Sequence, residues 1–292
     1  MDMHGWQQQD WEGIPAWVKR WSDGTQVVVA QQGAQLLSWR AADGVERLYL
    51  SPQTSRDGNT AIRGGVPVCF PQFNMRGSLP KHGFVRNLPW QLAEAGEQHV
   101  LLRLADSAAT REWWPEAFEA TVRIDVGSAS VSIALDVRNT GSTPWSMTCA
   151  LHSYLRVSDI TQCLLSGLQG TACWDSLVDT RFTEQAPLID FGAAPGAGFD
   201  RVFSTPGEAG KLLQLSQLHP LDGRALGIKN SPNATEVVVW NPGQMLSSEL
   251  ADMPDDGWRE MLCVEAASID APVTLQPGAQ WGLKQTLTVV PA

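Results

Sequence analysis

A histidine stands among cations in a stretch of the chain that contains no acidic residue. Residues 58–93 carry four positive charges, whereas the whole chain has a formal net charge of −10, so the remaining residues carry −14. Guanidinium and ammonium groups bind small anions, and an imidazole transfers protons near neutral pH. The stretch therefore predicts a pocket for an anion, with a solvated basic loop around a core histidine as the alternative. The residues concerned are Arg63, Arg76, Lys81, His82 and Arg86.

Three further titratable side chains stand where predicted strands begin or end. His152 follows a largely apolar strand, Asp200 follows a loop rich in glycine, alanine and proline, and Glu265 is expected to end an apolar strand. A carboxylate in apolar surroundings is costly unless it is hydrogen-bonded or lies in a cleft, and burial raises its pKa toward the range of a general base. These side chains suit acid and base chemistry on a small polar anion. A hydrogen-bonded core histidine and a surface pair of Asp200 with Arg201 are the alternatives.

Two other positions could contact a ligand. Arg63 precedes Gly64 and Gly65, which permit a positive φ or a close approach of the backbone to a ligand, although two glycines also form ordinary turns. Trp240 closes a predicted strand, and indole faces stack on the C–H faces of sugars, although tryptophan more often packs in the core. The tryptophan pair at 113–114 is expected in a loop, where it lines a pocket or caps the core.

Alternation of apolar and polar residues is the dominant pattern along the chain, and it predicts β-strands. Val122–Val126 and Val131–Val137 alternate on either side of a Gly-Ser turn, so they form a hairpin of half-buried strands. Many short strands between turn residues predict an all-β fold, a large antiparallel β-sandwich or barrel in one domain over residues 1–292. Further strands are expected at Gln26–Ala30, Gln98–Leu104, Lys211–Leu215, Glu236–Trp240, Met261–Glu265 and Gln285–Val290.

Composition argues against several classes of partner. A pI near 4.9 argues against nucleic acid, because a protein that binds the phosphodiester backbone needs a larger basic face than four residues. No run approaches the roughly 18 apolar residues of a membrane span, and the N-terminus has no signal-peptide pattern, so we expect no membrane. The five histidines lack metal-ligand spacing and the five cysteines form no Cys-x-x-Cys pair. We therefore expect no metal site, no disulfide framework and a cytoplasmic protein.

Six short motifs follow one another along the chain: IRGGVP at 62–67, PKHGFVRN at 80–87, LHSYL at 151–155, FDRVF at 199–203, VWNP at 239–242 and CVE at 263–265. In this order they resemble the motifs of the hexose-6-phosphate mutarotases (glucose-6-phosphate 1-epimerases), a branch of the aldose 1-epimerase superfamily. The resemblance runs from about Val27 to about Thr288 and leaves residues 1–25 or so as an N-terminal extension. Many members have Pro-Gly where this chain has Ala266 and Ala267, and Thr where it has Phe199.

The resemblance implies a galactose mutarotase-like β-sandwich whose concave face holds the sugar. It implies that His152 is the general acid at the ring oxygen and that Glu265 is the general base at the anomeric hydroxyl. His82 and Asp200 are then contacts to the sugar. Arg63 and Arg86 are then the expected binders of the phosphate. Apart from the resemblance, Lys81 and Trp240 are also expected to bind the substrate.

The expected activity is the interconversion of the α and β anomers of an aldohexose 6-phosphate, such as glucose 6-phosphate, by acid/base ring opening without a cofactor. We expect a monomer whose partner is this small sugar phosphate. If Lys81–Arg86 is extended, His82 and Arg86 share one face about 13 Å apart. One of them could then address the sugar and the other its phosphate.

Three alternatives stay open from the sequence. The chain could be an epimerase of unphosphorylated aldoses in which Arg63 and Arg86 are structural, although a neutral sugar needs no cluster of cations. It could be a sugar-phosphate-binding module without activity. It could also be a glycosidase that uses Asp200 and Glu265 across a glycosidic bond. The acidic residues between Glu249 and Glu260 are expected to form a solvated loop.

Overall fold

Antiparallel pairing joins the strands into three sheets over the residues that the computed structural model describes, 3–193, 196–205, 212–217 and 224–291. The first sheet has four strands in chain order, and through it residues 7–20, expected in an N-terminal extension, pair with the strand that follows. Its strands are β1 (Gln7–Trp11), β2 (Ile14–Arg20), β3 (Gln26–Ala30) and β4 (Leu36–Arg40).

The second sheet has eight strands among the described residues, and its central path runs in the order β14-β13-β16-β19-β20-β10-β5, with β11 paired to β20. Its strands are β5 (Val68–Cys69), β10 (Trp145–Leu151), β11 (Tyr154–Arg156), β13 (Ala172–Asp175), β14 (Thr180–Thr183), β16 (Phe199–Ser204), β19 (Glu236–Asn241) and β20 (Met261–Leu275).

The third sheet has nine strands in the described part of the chain, in the order β15-β12-β17-β18-β21-β9-β8-β7-β6. They are β6 (Gln91–Ala95), β7 (His99–Ala105), β8 (Phe118–Gly127), β9 (Ser130–Asn139), β12 (Cys163–Ser166), β15 (Leu188–Asp190), β17 (Leu212–Gln217), β18 (Arg224–Asn230) and β21 (Gln280–Pro291).

The apolar faces of the sheets meet in one core. A single cluster of buried side chains includes Val29 of the first sheet, Val239 and Val264 of the second, and Val122 and Ile133 of the third. Residues along β8 alternate strictly between buried and half-buried, as expected for a strand with one face on the core. The predicted antiparallel β-sandwich is confirmed.

Strands are found at every predicted position, but several extend beyond the expected bounds: β20 continues ten residues past Glu265, and β21 begins five residues before Gln285. β3 has the expected bounds, and the predicted hairpin is β8 and β9, which pair from Phe118 with Asn139 to Gly127 with Ser130. Lys211 lies outside the described residues. Helices are short: α1 spans Ala108–Trp113 and α2 spans Gly243–Glu249, with 3₁₀ turns at Val85–Asn87, Ile160–Gln162, Phe191–Ala193 and Gly257–Glu260.

One local prediction holds only in part. Trp113 ends α1, which Ser107 and Thr110 cap reciprocally, whereas Trp114 lies in the loop after the helix and packs edge-on against Phe70 of the core. Residues 81–86 are not extended, because His82 and its following glycine have positive φ angles of 64° and 71° and a 3₁₀ turn begins at residue 85. A Cβ on that glycine would overlap the carbonyl oxygen of Phe70, so only glycine allows this bend.

The two glycines after Arg63 both have positive φ, and each lies against another part of the backbone. Gly64 (φ 119°) approaches the Tyr49 carbonyl, and Gly65 (φ 59°) approaches the Leu36 carbonyl. The close approach anticipated from sequence is therefore to the protein's own chain, and it fixes the backbone that directly follows Arg63.

Substituting Gly65 tests this packing. Gly65→Ala forces a Cβ into the Leu36 carbonyl in addition to the backbone strain, so we expect a loss of about 2–4 kcal/mol in the free energy of unfolding. Gly44→Ala is the matched control, since Gly44 also has a positive φ (76°) but nothing lies within 4 Å of its Cβ position; we expect about 1 kcal/mol. Denaturant unfolding curves measure both, and equal losses would contradict the argument.

Candidate active site

All eight residues singled out from the sequence line one pocket of about 300 Å³ beside the second sheet. Other side chains that sequence reasoning did not assign complete its wall, among them Tyr154, Trp174, Ser176 and Asp252. Tyr154 lies within the LHSYL motif, whereas nothing local in the sequence marks Asp252. The eight are Arg63, Lys81, His82, Arg86, His152, Asp200, Trp240 and Glu265.

His152 immediately follows β10, as predicted for a strand end. Its backbone N–H donates to the Pro67 carbonyl (3.0 Å), which fixes the turn away from the strand. The imidazole stacks on the Tyr154 ring, with centroids 4.8 Å apart and planes 12° apart, and meets the edge of Trp240 at 6.0 Å. Aromatic groups on two sides therefore restrict the orientation of the imidazole.

Glu265 does not end its strand as expected. β20 continues to Leu275, and Glu265 is its fifth residue, paired in register with Val238 of β19. Its side chain is only 1% exposed, yet one carboxyl oxygen lies 3.4 Å from Nε2 of His152. The predicted acid and base therefore lie next to each other at the second sheet.

One polar atom of each group has no hydrogen-bond partner among the described residues: Oε2 of Glu265 and Nδ1 of His152. Buried polar atoms without partners are rare, because leaving one unpaired costs about 1–3 kcal/mol. In a pocket, unpaired buried polar atoms are expected where a bound ligand supplies the missing hydrogen bonds.

The surroundings favour the uncharged forms of both groups. Burial raises the pKa of Glu265 well above its usual range, and the negative charge of Asp200 adds to this. Burial also lowers the pKa of His152, and His82, Arg63 and Arg86 oppose its protonation further. The pair therefore tends to hold a single proton, with no net charge.

His82 presents a defined tautomer. The backbone N–H of Asn74 donates to Nδ1 (3.3 Å), and the Cys69 sulfur lies 3.2 Å from the same nitrogen. An Nδ1 that accepts leaves the proton of a neutral imidazole on Nε2. Burial, followed by the charges of Arg86 and Lys81, lowers the pKa of His82 to about 3. His82 is therefore a fixed neutral donor, 5.3 Å between ring centroids from His152.

Arg63 is already held by protein groups. Its Nε and Nη2 both lie 3.1 Å from one oxygen of Asp252, and Nη1 donates to the Tyr154 hydroxyl (3.0 Å). Since a guanidinium has five N–H groups, Arg63 keeps further donors for a ligand. Asp252 thus lies in a turn, as expected, but it also forms part of the pocket. The other acidic residues of its cluster, Glu249, Asp255, Asp256 and Glu260, are exposed as expected.

The side chains of Lys81 and Arg86 form fewer polar contacts with the protein than that of Arg63. Arg86 uses Nη2 to bind the Lys81 carbonyl (2.8 Å), while its buried Nε has no partner in the described chain. Lys81 forms no ion pair with any described residue. Arg76, the fourth cation of the basic stretch, is bound to Asp270 (2.8 Å) and to the Ile269 carbonyl (3.0 Å). Lys81 and Arg86 are therefore the cations best placed to accept an anion.

Asp200 and Trp240 come from neighbouring strands and stand opposite each other in the register of β16 with β19. Burial raises the pKa of Asp200. Arg201 does not pair with it but binds Asp175 (2.8 Å) on the neighbouring strand β13, so the surface pair considered from sequence does not form. Asp200 thus has no ion pair with Arg201, and its carboxyl group lies beside Ser176 in the pocket wall, where it can accept hydrogen bonds from a ligand.

No group of three or more His, Cys, Asp or Glu side chains is arranged to hold a metal ion within the described ranges. All five cysteines are buried and free. Among the helices that the structure describes, none has the length and apolar character needed to cross a membrane.

The tautomer of His82 can be tested by NMR. Because its pKa is lowered to about 3, His82 stays neutral with the proton on Nε2 from about pH 5 to about pH 8, where an unperturbed histidine titrates. Long-range proton–nitrogen correlation spectra distinguish the two ring nitrogens across this range. A His82 signal that titrates near pH 6.5 would contradict the assignment.

Comparison with known proteins shows what the chain is similar to. It is 36% identical over 266 residues to a protein from Salmonella typhimurium named "Putative glucose-6-phosphate 1-epimerase", covering 89% of this chain and 85% of the relative. A protein of the same name from Cenchrus ciliaris is 33% identical over 275 residues, covering 89% and 80%.

Solved structures give the same picture. One described as a "putative mutarotase (YeaD)" from Salmonella typhimurium has a TM-score of 0.85 at 32% identity, covering 98% of this chain and 94% of that one. A galactose mutarotase related enzyme from Lactobacillus acidophilus shares the fold alone, with a TM-score of 0.75 at 14% identity, covering 94% and 97%. The profile of the aldose 1-epimerase family matches residues 19–288. The chain therefore belongs to the aldose 1-epimerase family.

Proposed function

We propose that this protein interconverts the α and β anomers of an aldohexose 6-phosphate, such as glucose 6-phosphate, without a cofactor. The observation that carries the proposal is the 3.4 Å contact between His152 and Glu265 in a pocket that also holds Lys81 and Arg86. The names of the relatives support the phosphorylated substrate.

The pair of groups suits the proton balance of anomer exchange. Ring opening removes one proton from O1 and delivers one to the ring oxygen, so one group must be protonated and the other not. His152 and Glu265 hold one proton between them, which meets this requirement. In the proposed roles, protonated His152 donates to the ring oxygen while the Glu265 carboxylate accepts the proton of O1.

Substrate binding favours the state in which His152 is protonated and Glu265 is ionised. Burial alone places the proton on Glu265, whereas the proposed roles require it on His152. The charge of Arg86 is among the causes that oppose protonation of His152. A bound phosphate offsets that charge, so phosphate recognition and protonation of the catalytic imidazole are coupled.

The remaining residues hold the substrate while its aldehyde end turns. After ring opening, rotation about C1–C2 and reclosure invert the anomer, and binding of the phosphate by Lys81 and Arg86 keeps the far end fixed. His82 donates to a sugar hydroxyl through Nε2, and Asp200 accepts from another. Trp240 presents its indole to the sugar C–H groups.

Arg63 has a narrower role in this proposal than the family resemblance implies. Because Nε and Nη1 already donate to Asp252 and Tyr154, it reaches the phosphate only through the N–H groups that these bonds leave. It also holds the phenol on which His152 stacks. Lys81 and Arg86 are the main phosphate ligands.

Glu265→Gln tests the proposed base. Glutamine keeps the size but cannot accept the proton, so the rate of anomer exchange of glucose 6-phosphate should fall by about 10²–10⁴-fold. Saturation-transfer NMR measures this rate directly. The control is Glu236→Gln, another buried carboxylate beside β20 that binds the Ile269 backbone outside the pocket, and it should keep the wild-type rate. Equal acceleration by wild type and Glu265→Gln would remove Glu265 from the mechanism.

Arg86→Met tests phosphate recognition. Loss of a hydrogen bond to a charged group weakens binding by about 1.5–3 kcal/mol, so KM for glucose 6-phosphate should rise about 10–100-fold. Exchange of glucose should not slow, because the variant lacks the Arg86 charge that opposes protonation of His152. Arg103→Met, which removes a surface charge paired with Glu119 on the third sheet, should change neither substrate. If Arg86→Met impairs glucose and glucose 6-phosphate equally, the cation is structural and the epimerase of unphosphorylated aldoses is the better account.

A further inference from the structure

Behind the catalytic pair, a polar side chain crosses the otherwise apolar core. Gln285 belongs to β21 of the third sheet and is 0% exposed. Its amide reaches across to the second sheet, where Ser153 and Val264 lie. These two residues directly follow His152 and directly precede Glu265 in the sequence.

Every hydrogen-bonding group of that amide has a partner. Oε1 accepts from the Ser153 hydroxyl (2.5 Å), and Nε2 donates to the Val264 carbonyl (3.1 Å). The second Nε2 proton goes to the side-chain oxygen of Asn230 (3.1 Å), which stands beside Gln285 in the register of β18 with β21. Asn230 thus binds the amide within the third sheet, to which Gln285 also belongs. Ser153 and Val264 bind the same amide from the side of the second sheet.

The same two residues are also joined to each other, since the backbone N–H of Val264 donates to the Ser153 carbonyl (3.2 Å). Successive residues of an extended chain face opposite sides, so Val264 faces the core while Glu265 faces the pocket. A fully satisfied buried amide is rigid, because breaking any one of its bonds leaves a polar atom unpaired in the core. It therefore fixes both backbone segments on the side opposite the pocket.

We propose that Gln285 is a positioning residue, which holds His152 and Glu265 at the separation that proton transfer requires by fixing Ser153 and Val264 from the third sheet. This inference rests on the proposed function for its kinetic consequences. Misplacement of a catalytic group by about 1 Å can reduce the rate about 10²-fold. No residue that binds the phosphate takes part in the Gln285 contacts.

Gln285→Met tests the role, since methionine has a similar shape but forms none of the three hydrogen bonds. We expect kcat for anomer exchange to fall about 10–100-fold while KM for glucose 6-phosphate changes less than about twofold. Ser153→Ala removes one of the bonds without altering Gln285, and it should lower kcat by a smaller factor. Should Gln285→Met fail to fold, Ser153→Ala decides.

Asn139→Leu is the matched control. Asn139 is also a fully buried amide of the third sheet, and it also reaches β20, where it donates to the Leu275 carbonyl (2.9 Å). Leu275 lies ten residues beyond Glu265, roughly 30 Å along an extended strand. This variant should lose stability as Gln285→Met does, yet retain wild-type kcat per folded molecule. If Gln285→Met and Ser153→Ala behave like this control, Gln285 is only structural and the proposal is wrong.

Crystal structures give a readout that does not depend on activity. In Gln285→Met or Ser153→Ala, the distance between His152 Nε2 and Glu265 Oε1 should change by roughly 0.5 Å or more, and an unchanged distance overturns the proposal. Wild type measured in parallel separates the two claims: a wild type without exchange activity counts against the proposed function, whereas an active wild type matched by both variants counts against the role of Gln285.

Discussion

The proposed chemistry depends on one contact, in which the carboxyl group of Glu265 and the imidazole of His152 lie 3.4 Å apart at the second sheet. Burial disfavours charge on either group, which favours a pair that holds one proton and has no net charge. Ring opening of a hemiacetal needs this combination of one donor and one acceptor. In the proposed mechanism the phosphate of the substrate supplies a neighbouring charge, so the residues that bind it take part in the chemistry as well as in recognition.

The sandwich supplies rigid support on two sides of that contact. On the pocket side, the stacked Tyr154 ring orients His152, and Tyr154 is itself bound by Arg63. On the core side, Gln285 connects the third sheet to the residues adjoining the pair. Lys81 and Arg86 stand on either side of the bend after residue 81, and both line the pocket. This bend depends on a glycine packed against the Phe70 carbonyl.

Local patterns predict the strands but not the long-range contacts. The alternation from Val122 to Val137 is sufficient to place β8 and β9, because one face of that hairpin lies on the core. The end of β20 was misplaced at Glu265, since a run of apolar residues does not show where a buried strand stops. The pocket residues follow from the basic stretch and from side chains at predicted strand ends, and the resemblance of short motifs implies their roles. The contacts of Asp252 with Arg63 and of Gln285 with Ser153, by contrast, join residues 189 and 132 positions apart. No periodicity in the sequence marks such pairs.

A crystal structure with glucose 6-phosphate bound would show whether His152 and Glu265 face the anomeric centre. We expect the phosphate to contact Lys81 and Arg86, with O1 and the ring oxygen each within about 3 Å of Glu265 or His152. A sugar bound in the reverse direction, with its phosphate beside His152 and Glu265, would contradict the account, as would a sugar bound away from this pocket.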